Sequence, residues 1–234
     1  MIQQSTDRLA MLEERIQTVR DNVAAAAARV NRDPSSVTII GVTKTVDRDA
    51  VDLAYQAGLR HFGENRVQDA ARKFAIPLPD DATLSMIGHL QSNKANRAVR
   101  LFQVIESVDR PSIIDALERA AALVDRTLPV LLQVNIAGEM QKAGCAPDDA
   151  AALCQRIEES PHLRLRGLMT IAPLVEDAEE VRPCFLGLRR LRDELAANSS
   201  ELDLSILSMG MTNDYQIAIE EGATHIRVGR AIFS

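Results

Sequence analysis

Val37-Thr38-Ile39-Ile40-Gly41-Val42-Thr43-Lys44 decides how this chain is read. Its first half is a β-rich run without polar alternation, the pattern of a strand buried on both faces in a parallel sheet. Lys44 then stands at the C-terminal tip of that strand. An ammonium group at the edge of an apolar core is expensive to desolvate. Its remedies are a lowered pKa, an anionic partner, or covalent use of the amine as a Schiff base. An ordinary lysine snorkelling from a strand end into water is the competing reading.

The same strand signal recurs along the chain, near 59–62, 84–87, 103–106, 129–135, 164–169, 204–208 and 224–228, which makes eight strands with the first. Between them lie helical patterns at about 47–57, 65–75, 91–101, 111–125, 147–159, 176–197 and 212–221, and a short one begins at Ala231. An additional amphipathic helix over 6–32 precedes the first strand, with Leu9, Leu12, Ile16, Val19 and Val23 on one face. Eightfold strand–helix alternation at this length predicts an α/β fold, a single (β/α)8 TIM barrel over residues 1–234 with an extra N-terminal helix. An open doubly wound sheet is the alternative, and it lacks the G-x-G-x-x-G expected after its first strand.

Composition narrows the function. The chain has no Trp, two Tyr and five Phe, too few aromatics for a stacking platform, and its net charge of −6 gives no basic footprint for nucleic acid or an anionic membrane. No stretch has the pattern of a signal peptide or a membrane span, so a cytoplasmic protein is expected. Cys145, Cys154 and Cys184 lack metal-ligand spacing and read as thiols of a reducing compartment.

In a barrel, functional groups gather at the C-terminal ends of the strands, and phosphate sites often form from the loops after strands seven and eight. Ser208-Met209-Gly210-Met211-Thr212-Asn213-Asp214 follows the predicted seventh strand and either caps a helix or offers N–H groups and hydroxyls to a phosphate. Arg227-Val228-Gly229-Arg230 follows the eighth. There Gly229 lets backbone amides approach an anion and Arg230 adds charge. Strand alternation turns Arg227 away from Ile226 and Val228 and into the barrel, where it needs an acceptor: a ligand's ring nitrogen, or a carboxylate in a structural ion pair. Asn65, after the second strand, is either a polar group at the mouth or a helix cap. His89 reads as a surface residue, and Lys94 and Lys142 as solvated lysines. His61, His162 and His225 show neither metal spacing nor a triad pattern.

Together, Val42-Thr43-Lys44-Thr45, Phe62-Gly63-Glu64-Asn65-Arg66-Val67-Gln68, Ile87-Gly88-His89-Leu90-Gln91-Ser92-Asn93-Lys94, Gly138-Glu139-Met140-Gln141-Lys142-Ala143-Gly144, Gly167-Leu168-Met169, Leu207-Ser208-Met209-Gly210-Met211-Thr212 and Arg227-Val228-Gly229-Arg230-Ala231-Ile232-Phe233 resemble the pyridoxal phosphate homeostasis protein family. The resemblance implies a barrel like the N-terminal domain of alanine racemase, holding pyridoxal 5′-phosphate as an aldimine. It implies Lys44 as the Schiff-base lysine, Arg227 facing the pyridine nitrogen, Asn65 near the ring, and Ser208, Thr212, Gly229 and Arg230 around the phosphate. Three departures stand out: Arg230 where a small hydroxyl residue is usual, Ser85 where histidine is common with His89 where proline is common, and a chain that stops at Ser234.

A guanidinium facing the ring nitrogen can only donate, leaving that nitrogen unprotonated and the ring a poor electron sink. The expectation is therefore a monomeric binder of pyridoxal phosphate in vitamin B6 homeostasis, not an enzyme, delivering cofactor to apo-enzymes. Desolvation and the Arg227 charge are expected to lower the Lys44 pKa. The rivals are a pyridoxal-dependent amino-acid racemase or lyase, and a cofactor-free Schiff-base aldolase.

Overall fold

The computed structural model describes residues 2–139, 143–199 and 202–234. Strands β1 (Thr38–Val42), β2 (His61–Glu64), β3 (Thr83–Met86), β4 (Val104–Val108), β5 (Leu128–Gln133), β6 (Leu163–Met169), β7 (Ile206–Met211) and β8 (His225–Val228) follow one another around a closed barrel, all neighbours parallel. Helices α2 (Arg48–Gln56), α3 (Val67–Lys73), α4 (Ala95–Leu101), α5 (Pro111–Ala122), α6 (Ala150–Glu158), α7 (Arg182–Asn198) and α8 (Tyr215–Glu220) return the chain between strands, and α9 (Arg230–Phe233) follows β8. The predicted barrel is thus the observed one.

Helix α1 (Ile2–Arg29) is the predicted additional helix. It buries Leu12, Ile16, Val19, Val23, Ala26 and Ala27 against α2, α8 and α9. Each large apolar side chain buried there contributes roughly 1.5–3 kcal/mol, which holds the helix on the barrel while polar residues, Met11 and alanines face outward. Arg32, just beyond it, donates to the Ile219 carbonyl at 2.8 Å and satisfies the C-terminal turn of α8.

Three strands run further than their apolar runs indicate: β2 reaches Glu64, β4 takes in Glu106 and Ser107, and β7 extends to Met211. The extensions of β2 and β4 carry Glu64 and Ser107 into buried surroundings, where a polar atom without a partner is costly. β7 also holds a bulge. Ser208 pairs with His225 and Met211 with Arg227, so one extra residue is accommodated around Gly210, whose φ is 91°. A Cβ at Gly210 would lie 2.6 Å from that of Ala218, so both conformation and space require glycine.

Among the described residues no helix is long and apolar enough to cross a membrane, and no cluster of His, Cys, Asp and Glu could hold a metal ion. All three cysteines are buried, and burial pushes the thiols of Cys145 and Cys154 up to about 12.

Candidate functional site

Register fixes which side chains share the interior. Ile40 of β1 pairs with His61 on one side and Arg227 on the other, so Ile40 and Arg227 both face inward, and alternation continues that face through Val42 toward Lys44. Gly229 belongs to the same face of β8: a Cβ there would point at Val42, 3.4 Å from its Cβ. Because glycine stands at that level, no β8 side chain fills the layer between Arg227 below and Lys44 at the mouth.

Lys44 itself is exposed. β1 ends at Val42, and a turn closed by the Val46 N–H donating to the Thr43 carbonyl, at 3.1 Å, carries the lysine out to the rim. The desolvation expected from the sequence is therefore absent, because buried Thr43, not Lys44, terminates the core. Thr45, Val46, Asp47, Arg48, Asp69, Arg72 and Lys73 surround Lys44 in an open depression.

Deeper inside lies a polar chain that the apolar runs concealed. Arg227, 4% exposed, donates from Nη1 to Ser208 Oγ at 2.7 Å and from Nη2 to the Thr170 carbonyl at 2.7 Å. Ser208 Oγ in turn donates to Glu106 Oε2 at 2.6 Å. Burial raises the Glu106 pKa, opposed by the Arg227 charge and by hydrogen bonds from Ser208 and Ser85. Burial lowers that of Arg227, opposed by Glu106 and Asp214. The guanidinium thus meets its carboxylate through a hydroxyl. Of its five N–H donors these bonds engage two, which leaves others for an acceptor placed above it.

Ser208, expected beside a phosphate, sits instead in mid-strand with its hydroxyl committed to Glu106 and Arg227. Thr212 is half-buried in the turn after β7. That turn is joined to the one after β8 by Arg230 Nη2, which donates to Asn213 Oδ1 at 3.2 Å, so Thr212, Gly229 and Arg230 do come together at one side of the mouth. The predicted helix cap is not formed: Asp214 makes no side-chain cap, and its carboxylate accepts from the Met211 N–H at 2.5 Å. Asn65 does not cap α3 either, since Arg66 occupies the cap position, and Asn65 lines a neighbouring depression with Gln68, His89 and Lys94. His89 is on the surface as expected, Lys94 is half-buried rather than solvated, and Lys142 lies outside the described residues.

Two sets of residues were missed by sequence reasoning. One is Glu106, which already lies in the predicted run 103–106 and which alternation from Val104 places inward. The other is on the outside of the barrel. Glu64 pairs in register with outward-facing Met86, accepts from Thr43 Oγ1 at 2.7 Å, and forms an ion pair with Lys73 at 2.7 Å.

Comparison with known proteins follows this geometry. Residues 15–234 match the family described as alanine racemase, N-terminal domain, which defines the class of barrel. The pyridoxal phosphate homeostasis protein of Pseudomonas aeruginosa is 40% identical over 223 residues, covering 92% of this chain and 95% of that protein. Its counterpart in Aquifex aeolicus is 37% identical over 220 residues, covering 94% and 96%. The solved structure of PipY from Synechococcus elongatus with pyridoxal phosphate bound superposes with a TM-score of 0.84 at 39% identity, over 95% of this chain and all of that one. The chain belongs to the pyridoxal phosphate homeostasis protein family.

The residues present fit such a ligand. A primary amine stands at the rim, a buried guanidinium with spare donors lies inside the barrel, glycine at 229 adds no side chain against Val42, and the Thr212 hydroxyl and the Arg230 guanidinium stand on the turns after β7 and β8.

Proposed function

We propose that this chain binds pyridoxal 5′-phosphate reversibly through Lys44 and serves intracellular vitamin B6 homeostasis as a carrier, not as a catalyst. The observation that carries the reading is a lysine on the turn that closes β1, the strand whose Ile40 pairs in register with inward-facing Arg227, with glycine at 229 against Val42. The names of the relatives and the ligand of PipY point the same way.

The bound ligand would supply an aldehyde carbon. Lys44 would supply the primary amine with which that carbon condenses, with water the only by-product and no electrons exchanged. Hydrolysis reverses the step, as a carrier requires. Thr212, the amides around Gly229 and Arg230 would hold the phosphate. Asn65, which lines the neighbouring depression, would approach the ring, and Ser208 would act from below by orienting Arg227.

Arg227 favours storage over turnover. A guanidinium has no acceptor and cannot supply a ring nitrogen with a proton to keep, so the ring stays a weak electron sink. Neither tyrosine supplies a second acid or base at the mouth: Tyr55 Oη donates to Asp81 on α2's outer side, and Tyr215 is buried among the outer apolar residues. We place the protein in the cytoplasm as a single-barrel monomer that passes its ligand to pyridoxal phosphate-dependent apo-enzymes.

The test is spectroscopic. Adding pyridoxal phosphate to the purified protein is expected to produce the near-visible band of a lysine adduct, and Lys44→Ala is expected to abolish it. An unchanged band in Lys44→Ala would overturn the assignment.

A further inference from the structure

The turn that presents Lys44 is anchored from outside the barrel. The Thr43 carbonyl accepts two hydrogen bonds, from Val46 N–H at 3.1 Å within the turn and from Lys73 Nζ of α3 at 2.6 Å. The rest of Thr43 is equally fixed: its N–H donates to the Gly63 carbonyl at 3.0 Å and its hydroxyl to Glu64 Oε1 at 2.7 Å. Lys73 also reaches Glu64 Oε1 at 2.7 Å, and the two side chains are only 12% and 1% exposed. Three elements, β1, β2 and α3, therefore converge on the peptide group immediately before Lys44.

This arrangement is costly for a surface support. Glu64 Oε2 is buried and has no hydrogen-bond partner among the described residues, and a half-satisfied buried carboxylate is a stability liability. Thr43 and Glu64 could be replaced by apolar residues of similar shape if only packing were needed at the seam between β1 and β2. An exposed lysine on a four-residue turn, by contrast, samples many directions unless its backbone is held, and a displacement of about 1 Å can cost roughly a hundredfold in a reaction that depends on placement.

We propose that Lys73 and Glu64 are positioning residues for Lys44, fixing the Thr43 carbonyl and with it the direction in which the lysine leaves the barrel rim. The proposal rests on the reading of Lys44 as the residue that takes the aldehyde. Lys73 acts through the backbone and does not touch the ligand.

The test uses the full chain in four forms: unsubstituted, Lys73→Met, Lys73→Arg, and the double variant Lys73→Met with Glu64→Gln, which avoids stranding a buried carboxylate if the single variant fails to fold. Three readouts are taken. The first is the rate of adduct formation with pyridoxal phosphate. The second is affinity for 4-deoxypyridoxine 5′-phosphate, which has no aldehyde. The third is amide exchange at Val46 without ligand. Removal of the Lys73 ammonium, singly or in the double variant, is expected to slow adduct formation about tenfold or more, to leave analogue affinity unchanged, and to speed exchange at Val46 but not in the other strands; Lys73→Arg should recover most of the rate. Unchanged rate and unchanged Val46 exchange would overturn the proposal. So would a parallel loss of analogue affinity and of protection throughout the barrel, because Lys73 would then support the fold in general. If the unsubstituted protein forms no adduct while Val46 exchange responds as expected, the aldehyde reading of Lys44 fails and the brace stands.

Discussion

The barrel holds one buried carboxylate with a cation on its inner face and another on its outer face, and the two are built differently. Outside, Lys73 meets Glu64 directly, and both also bind Thr43, so the cation's donors are spent on protein acceptors. Inside, Arg227 and Glu106 are kept apart by the Ser208 hydroxyl, and the guanidinium has donors beyond the two that Ser208 and Thr170 accept. A closed pair makes a brace, while an interrupted pair leaves part of its cation available to a ligand. The difference separates the residues that aim Lys44 from those that would receive what Lys44 holds.

The largest effect on stability should come from the inner cluster. Arg227→Met leaves Glu106 buried without its counter-charge and should cost about 3–5 kcal/mol in urea unfolding; a loss below about 1 kcal/mol would mean that Glu106 does not depend on the guanidinium. Lys73→Met should cost less, about 2–3 kcal/mol, because Lys73 lies nearer to solvent and Glu64 keeps its bond from Thr43. If the order of the two losses were reversed, the outer pair would be the more deeply committed of the two.

A pH series probes the inner face through His225. Burial, with the His61 and Arg227 charges, brings the His225 pKa down to about 4 from an ordinary 6.5, so the unfolded chain binds a proton on this residue more readily than the folded one. Stability from this group is intact above pH 6.5 and is lost as the pH falls toward 4, by up to about 3 kcal/mol. Glu106 opposes it, since a carboxyl with a raised pKa favours the protonated fold. His225→Gln should flatten the loss between pH 6.5 and 4, whereas a curve identical to that of the unsubstituted protein would remove His225 from the account. The smallest effect on the fold should come from Arg230→Thr. It removes one exposed hydrogen bond to Asn213 and should shift unfolding by less than about 0.5 kcal/mol, while affinity for the aldehyde-free phosphate analogue changes measurably.

The eight strands were legible because each short run carries Val, Ile or Leu and is followed by a helical pattern, and the inward turn of Arg227 was legible because Ile226 and Val228 flank it. The polar strand residues were not. Glu64, Glu106 and Ser208 lie where an apolar run stops, so the sequence ended each strand at or before them, and only the partners found across the barrel explain why the chain continues. Ser208 was assigned to the rim for the same reason: with β7 ended at 208, mid-strand becomes strand end. Asn65 and Asp214 carry cap-forming side chains, yet Asp214 turns back to the Met211 amide three residues earlier and α3 takes its cap at Arg66. Lys73 had no local signal, because its role exists only through the approach of α3 to the end of β1.

The most direct measurement is borohydride reduction of the protein with pyridoxal phosphate bound, followed by peptide mapping of the adduct. The account predicts a single reduced adduct, on the peptide carrying Lys44. An adduct confined to Lys73 or Lys94, or none at all, would contradict it.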